Sequence, residues 1–359
     1  MYNRMFMSNV LLKIWPELQN HIDNIHLIDS HLHTTFPTTS NEIIVKDILQ
    51  AKKEGKTKFL FYLICEGIVL QMLQKIQDIA SLLKNNIDSK DLIYVCSASD
   101  GAEIYEKLYK EYNWENKISV ICVNAHWFSL NYSILSYFPV EYNIKEKEKA
   151  FLCFNNRPRK HRLDLLELMY SYIDKGYYSF EGPGLEWDSL SDEYVNIKKN
   201  RNKFPLRLNI TTDRSNPVDI IPDDIKYFDG SYFSIITETL FYTDPTYGVD
   251  SLFITEKTLK CLGCMHPFVM LGRPHALKVL GRIGYKTFSP FIDESYDSIE
   301  NNEERLIAVF KEIQRLISKP VEEWIEWQTN IKEIVEHNKH HFHSSTDYST
   351  TKDIEKYFT

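Results

Sequence analysis

At 359 residues the chain is too long for one small core and fits two domains of ordinary size. Hydrophobic and aromatic fractions of 43% and 13% exclude a disordered chain. A net charge of −8 argues against a surface given over to a nucleic-acid backbone, while leaving room for a local basic groove.

No stretch approaches membrane-spanning length, and no apolar run follows a basic start. The expectation is a soluble cytoplasmic protein without a membrane span, in a host cytoplasm if the gene is viral. The cysteines at 65, 96, 122, 153, 261 and 264 sit mostly inside apolar runs and read as reduced core thiols. Cys261-Leu-Gly-Cys264 is a CxxC without a second pair, inside an expected helix, so core packing outweighs zinc or redox use.

From Ile25 short apolar runs alternate with amphipathic ones. Strands are expected at Ile25–Asp29, Lys58–Cys65, Leu92–Cys96 and Ile118–Val123, and helices at Asn41–Glu54, Ile68–Leu83 and Gly101–Tyr112. That alternation means βαβ units and a parallel, doubly wound sheet. The charged run Lys145–Lys149 marks a boundary, giving an N-terminal domain over 1–145. A second domain, 146–320, repeats the logic with strand Ala150–Phe154, helix Lys160–Ile173 and strand Tyr177–Phe180. A long polar excursion then precedes strand Tyr232–Thr237. The apolar pattern at Phe253 leads into a helix over Glu256–Cys264, with Thr255 as N-cap, then strand Phe268–Leu271. Pro274 and Gly284 bracket another helix, Tyr285–Phe288 reads as a last strand, and Leu306 to Ile317 form a helical stripe. Residues 321–359 complete the chain as C-terminal helices and a tail whose histidines, 337, 340, 341 and 343, read as a solvated helix end. The fold class is α/β: two Rossmann-like doubly wound domains facing a cleft.

Three constellations can carry chemistry. The turn Phe154-Asn-Asn-Arg-Pro-Arg-Lys-His-Arg162 follows a strand and opens a helix, the place where open α/β sheets bind ligands. Arg157, Arg159 and Arg162 offer planar donor forks to a diphosphate, Lys160 a point charge, and Asn156 stands among them. A solvated basic turn is the plainer reading. In the second constellation, Lys257 and Lys260 share the face of a helix near its amino end, where backbone N–H groups also favour a phosphate. Glu238 and Glu256, at two comparable strand ends, can flank a sugar or ribose; Glu256 also suits the helix dipole. The third is Asp29-Ser-His31-Leu-His33, a D-x-H-x-H at the end of an apolar strand, which resembles the first metal-binding strand of amidohydrolase and PHP-type barrels. Only His126 offers a further ligand at a later strand end.

The basic turn, the strand ending in TET, ITEKTLKCL, HPFVMLG and GYKTF together resemble glycosyltransferases of the GT-B type over residues 150–297. The likeness is nearest to the fucosyltransferase-like group, similar to modules found in phages and giant viruses. It implies that Arg157 and Lys257 neutralise the leaving diphosphate while Glu256 holds the ribose, with Arg159 and Arg162 as additional candidates. Cys261-Leu-Gly-Cys-Met265 departs from the usual small-residue run, so donor identity does not transfer. No D-x-D occurs, so cations and a helix amino end, with no cofactor or metal, would stabilise the leaving group. A general base would come from the first domain: Glu66 after the strand Phe59–Cys65, unless it only caps the next helix, or His31 or His33.

The expected activity is inverting, metal-independent transfer of a sugar from a nucleotide diphosphate sugar to an acceptor glycan or other hydroxyl compound. Modified DNA is a less favoured acceptor. The rivals are a metal-dependent hydrolase using Asp29, His31 and His33, and a non-enzymatic nucleotide-binding module.

Overall fold

A computed structural model describes residues 21–28, 39–62, 70–96, 98, 100–122, 141–156, 158–183, 187, 189–208, 222–242, 252 and 254–344. Their elements fall into two compact units, each with its own four-stranded parallel sheet.

In the first unit β1 (Ile25–Ile28), β2 (Lys58–Tyr62), β3 (Leu92–Cys96) and β4 (Ser119–Cys122) lie in the order β1-β2-β3-β4. They are joined in sequence by α1 (Asn41–Lys53), α2 (Leu70–Leu83) and α3 (Gly101–Glu111). Ser40 caps α1 by accepting the Ile43 N–H, and Lys52 and Lys53 complement the dipole at its far end. Alternate strand residues Phe59, Phe61, Leu92, Tyr94, Cys96, Val120 and Cys122 face Ile44, Ile48, Leu73, Ile76 and Tyr105 in one core. Their neighbours Leu60, Ile93, Val95 and Ile121 are buried too, as a parallel sheet requires of both faces. Among the described residues the strand order of this sheet does not reverse.

The second unit holds β5 (Lys149–Phe154), β6 (Gly176–Ser179), β7 (Ser231–Thr237) and β8 (Phe268–Leu271) in the order β6-β5-β7-β8. Here the chain steps from β5 to one side, then returns to continue on the other. The reversal lies between β5 and β7. All seven residues of β7 are buried, which accounts for the run Tyr-Phe-Ser-Ile-Ile without polar alternation. Around the sheet lie α4 (Lys160–Met169), the short α5 (Val195–Lys199), α6 (Pro222–Asp229), α7 (Glu256–Gly263), α8 (Ala276–Arg282), α9 (Asn302–Ile317) and α10 (Val321–Ser344). Helix α10 belongs to this unit, and its Trp324 stacks on Tyr232 at 4.3 Å.

Phe253, where the apolar strand pattern was expected to begin, lies outside the described residues; Ile254 and Thr255 lead directly into α7. Tyr285–Phe288 is irregular, because Asn338 of α10 takes the place of a neighbouring strand: its Oδ1 accepts the Lys286 N–H and its Nδ2 donates to the Lys286 carbonyl, both at 2.8 Å. The edge of β8 has a comparable substitute, since the Met270 N–H donates to the Tyr296 hydroxyl at 3.2 Å. The tail histidines are not simply solvated either. His337 and His341 donate from Nε2 to the carbonyls of Gly284 and Ile283, just past the end of α8, at 3.0 and 2.7 Å. Gly284 has φ +98°, and a Cβ there would lie 2.6 Å from the His341 ring, so conformation and space both require glycine.

Candidate functional site

The switch point between β5 and β7 is where side chains converge. Directly after β5, Asn155 is buried: its Oδ1 accepts the Thr237 hydroxyl of β7, and its Nδ2 donates to Cys153 Sγ at 3.2 Å and the Tyr178 hydroxyl at 3.4 Å. Asn155 ties the ends of three adjacent strands together. Asn156 beside it is exposed.

Helix α4 starts from this turn with Arg159 as N-cap and Lys160, His161 and Arg162 in its first turn. The first turn carries cations and no acidic residue, the reverse of what the helix dipole favours. Two of these groups point inward. His161 donates from Nε2 to the Glu238 carbonyl at 2.9 Å, and burial, followed by the Arg162 charge, pulls its pKa down to about 3. Arg162 is 4% exposed and donates to the Thr237 carbonyl at 3.2 Å. Burial and Arg159 lower its pKa, while Glu238 and Glu256 act in the opposite sense. Lys160 turns away to Asp164 at 3.0 Å, over the Tyr242 ring.

One residue past β7, Glu238 is 2% exposed, and both its oxygens are occupied. Oε1 accepts the Thr255 N–H at 3.1 Å and the Thr258 hydroxyl at 2.6 Å; Oε2 accepts the Thr255 hydroxyl at 2.6 Å and the Thr239 N–H at 3.3 Å. Among the described residues four neutral donors satisfy the charge. The Thr255 hydroxyl in turn caps α7, accepting from the Lys257 N–H at 3.3 Å and from Lys257 Nζ at 3.1 Å. Glu238 thereby fixes where α7 begins. Glu256 and Lys257 pair at 3.1 Å and both remain partly exposed, whereas Thr255 and Thr258 are buried. Lys260 lies one turn on, partly exposed.

The structure therefore draws two sequence constellations into one place. Arg159, Arg162 and Lys257 all act electrostatically on His161, and Glu238 and Glu256 act on Arg162. Asn156 and Lys260 flank this cluster in sequence. Glu66, His31, His33 and Arg157 lie outside the described residues, as do Asp29 and His126. Among the described residues no group of His, Cys, Asp and Glu could hold a metal. Cys261 and Cys264 are buried, and burial pushes the Cys261 thiol up to about 12.

Three supporting residues escaped the sequence reading. His161 was passed over as one member of a basic run. Asp164, which accepts the Tyr194 and Tyr242 hydroxyls at 2.5 Å each, looks like a surface carboxylate of α4. Arg305, 1% exposed, donates to the carbonyls of Gly272 at 3.0 Å and Phe241 at 3.3 Å, pinning the loops after β8 and β7. Its signal was a cation in line with Val309, Ile313 and Leu316 on the buried face of α9.

No protein-family model and no curated protein matches the chain. Among solved structures the chain is similar to the N-terminal domain of trehalose-6-phosphate phosphatase from Candida albicans, at 11% identity and a TM-score of 0.45, covering 88% of this chain and 73% of that one. A likeness at that level carries no argument about activity. What is established is an α/β chain with two Rossmann-like units, in which no helix of the described residues is long and apolar enough to cross a membrane.

Proposed function

We propose that the chain is a GT-B-type, fucosyltransferase-like glycosyltransferase whose second unit binds the diphosphate of a nucleotide-sugar donor. The observation that carries this reading is the meeting of two cation-bearing helix starts, α4 and α7, at the switch point of the second sheet. Arg159 and Lys257 are partly exposed cations that meet the diphosphate, with Lys260 one turn on; Arg157, outside the described residues, is assigned the same role. The dipole at the amino end of α7 adds to the field. Glu256 accepts from the ribose hydroxyls. Glu238 and Arg162 are positioning residues in this reading, because their hydrogen bonds hold β7, α4 and α7 in register.

Cleavage of the glycosidic bond leaves charge on the diphosphate, and fixed cations stabilise it more strongly as it grows. The acceptor and its general base, Glu66, His31 or His33, are assigned to an N-terminal domain over 1–145. Inversion and independence from metal belong to the same proposal. The barrel hydrolase is disfavoured, because the described strands form two separate four-stranded sheets and β1 lies at the end of one of them.

Thermal-shift titration with UDP, GDP, CDP and ADP and their sugars tests the reading. One nucleotide series raises the apparent melting temperature saturably, and Lys257→Ala and Arg159→Ala each weaken it at least tenfold. Absence of binding, or wild-type affinity in both variants, removes the assignment. Binding without sugar transfer or donor hydrolysis leaves the nucleotide-binding module in its place.

A further inference from the structure

A pocket of about 310 Å³ lies at the opposite, amino edge of the second sheet. Its walls include Tyr142, Lys147, Phe228, Asp229, Tyr232 and His266. Lys147 stands two residues before β5, Ser231 opens β7, and His266 stands two residues before β8. The Lys147 N–H donates to the Tyr232 hydroxyl at 3.1 Å, and its side chain is only 6% exposed.

The side chain is covered, and its ammonium has one long ion pair. Among the described residues its partner is Asp229 Oδ1 at 3.6 Å, beyond hydrogen-bond range. The other oxygen of Asp229 is held by Lys145 at 2.5 Å. Two ammonium groups and one carboxylate leave an unbalanced positive charge beside the pocket. His266 cannot supply an acceptor: Nε2 donates to the Ser231 carbonyl at 2.9 Å, and Nδ1 accepts the Ser234 hydroxyl at 2.8 Å. At the rim, Glu141 and Lys226 are exposed and opposite in sign, so they cancel. Burial lowers the pKa of Lys147, as expected of an ammonium short of partners.

We propose that this pocket binds a small organic monoanion with a flat apolar body, its carboxylate meeting Lys147 Nζ and its body lying among Tyr142, Phe228 and Tyr232. An ammonium with only a long ion pair gains from a charge-assisted acceptor, and the partly exposed Tyr142 ring, with the accessible edges of Phe228 and Tyr232, gives the apolar wall against which a flat body packs. The volume is at the lower end of ligand pockets, about 300 to 1,000 Å³, which suits a single-ring acid rather than a nucleotide.

Ligand-observed saturation-transfer NMR on the full chain tests this, with benzoate as probe and benzamide as its neutral counterpart. Benzoate binds saturably in the millimolar range and benzamide does not; Lys147→Met weakens benzoate at least tenfold while Lys145→Met leaves it within about twofold. Intermolecular contacts from the benzoate ring to Phe228 and Tyr232 in the wild-type protein place the ligand without any variant. No saturable binding, equal binding of the amide, unchanged binding in Lys147→Met, or contacts elsewhere overturn the proposal.

Discussion

The two edges of the second sheet bury charge in opposite ways. At the carboxyl edge Glu238 is enclosed by four neutral donors, and the cations Arg159 and Lys257 stay partly exposed. At the amino edge Asp229 is shared between Lys145 and Lys147, and the buried partner is the cation. A buried histidine stands behind each edge, His161 against Glu238 and His266 against Ser231. The difference teaches that a carboxylate near lysines is not by itself a ligand site. What counts is which group has its hydrogen bonds filled.

The sharpest break in this comparison is Glu238→Ala. It strands the Thr255 and Thr239 N–H groups and two threonine hydroxyls in a buried place, at about 3–5 kcal/mol of stability if two of them stay unsatisfied. Urea unfolding followed by circular dichroism measures the loss, and a cost below about 1 kcal/mol means that Glu238 is not the peg for α7.

An intermediate effect comes from the two histidines, both pulled by burial from the ordinary 6.5 to about 3. Between those values the unfolded chain binds protons that the folded chain refuses. Their contribution is therefore intact above pH 6.5 and is lost as pH falls through the window. Each histidine steepens the loss towards about 1.4 kcal/mol per pH unit. Urea midpoints between pH 6.5 and 5, above most carboxylate titration, should show this slope, and His266→Gln should halve it. A flat profile means that the imidazoles are charged in the fold and that the edges are not alike in this respect.

Lys145→Ala has the smallest effect. Lys145 and Asp229 are each nearly half exposed, so the pair contributes under about 1 kcal/mol. A larger loss in the same urea assay would show that Lys145 holds Asp229 in place for Lys147.

The strand and helix positions were legible because parallel strands buried on both faces read as unbroken apolar runs, as in Phe59–Tyr62 and Ser231–Thr237. Strand order was not legible, since both halves show the same alternation, yet only the second sheet reverses. At the site, the basic turn and the Glu256-Lys257 pair stood out by charge and by their place before helices. The burial of Glu238 did not. Its donors, Thr255 and Thr258, lie 17 and 20 residues further on, and nothing local announces that they will enclose it. Tyr285–Phe288 has strand composition, but Asn338, 52 residues away from Lys286, takes the hydrogen bonds that a neighbouring strand would have made.

The contact between Tyr296 and Met270 has a consequence for how the sheet ends. An edge strand offers outward N–H and C=O groups to which a strand of another molecule can add. At β8 one of those amides is already committed to a phenol oxygen, and Phe268 packs edge-on against Phe288 at 5.1 Å. A side chain has no second backbone row to offer, so hydrogen bonding stops with it. Among the described residues Tyr296 thus occupies an outward amide of β8 that a strand added from another molecule would need.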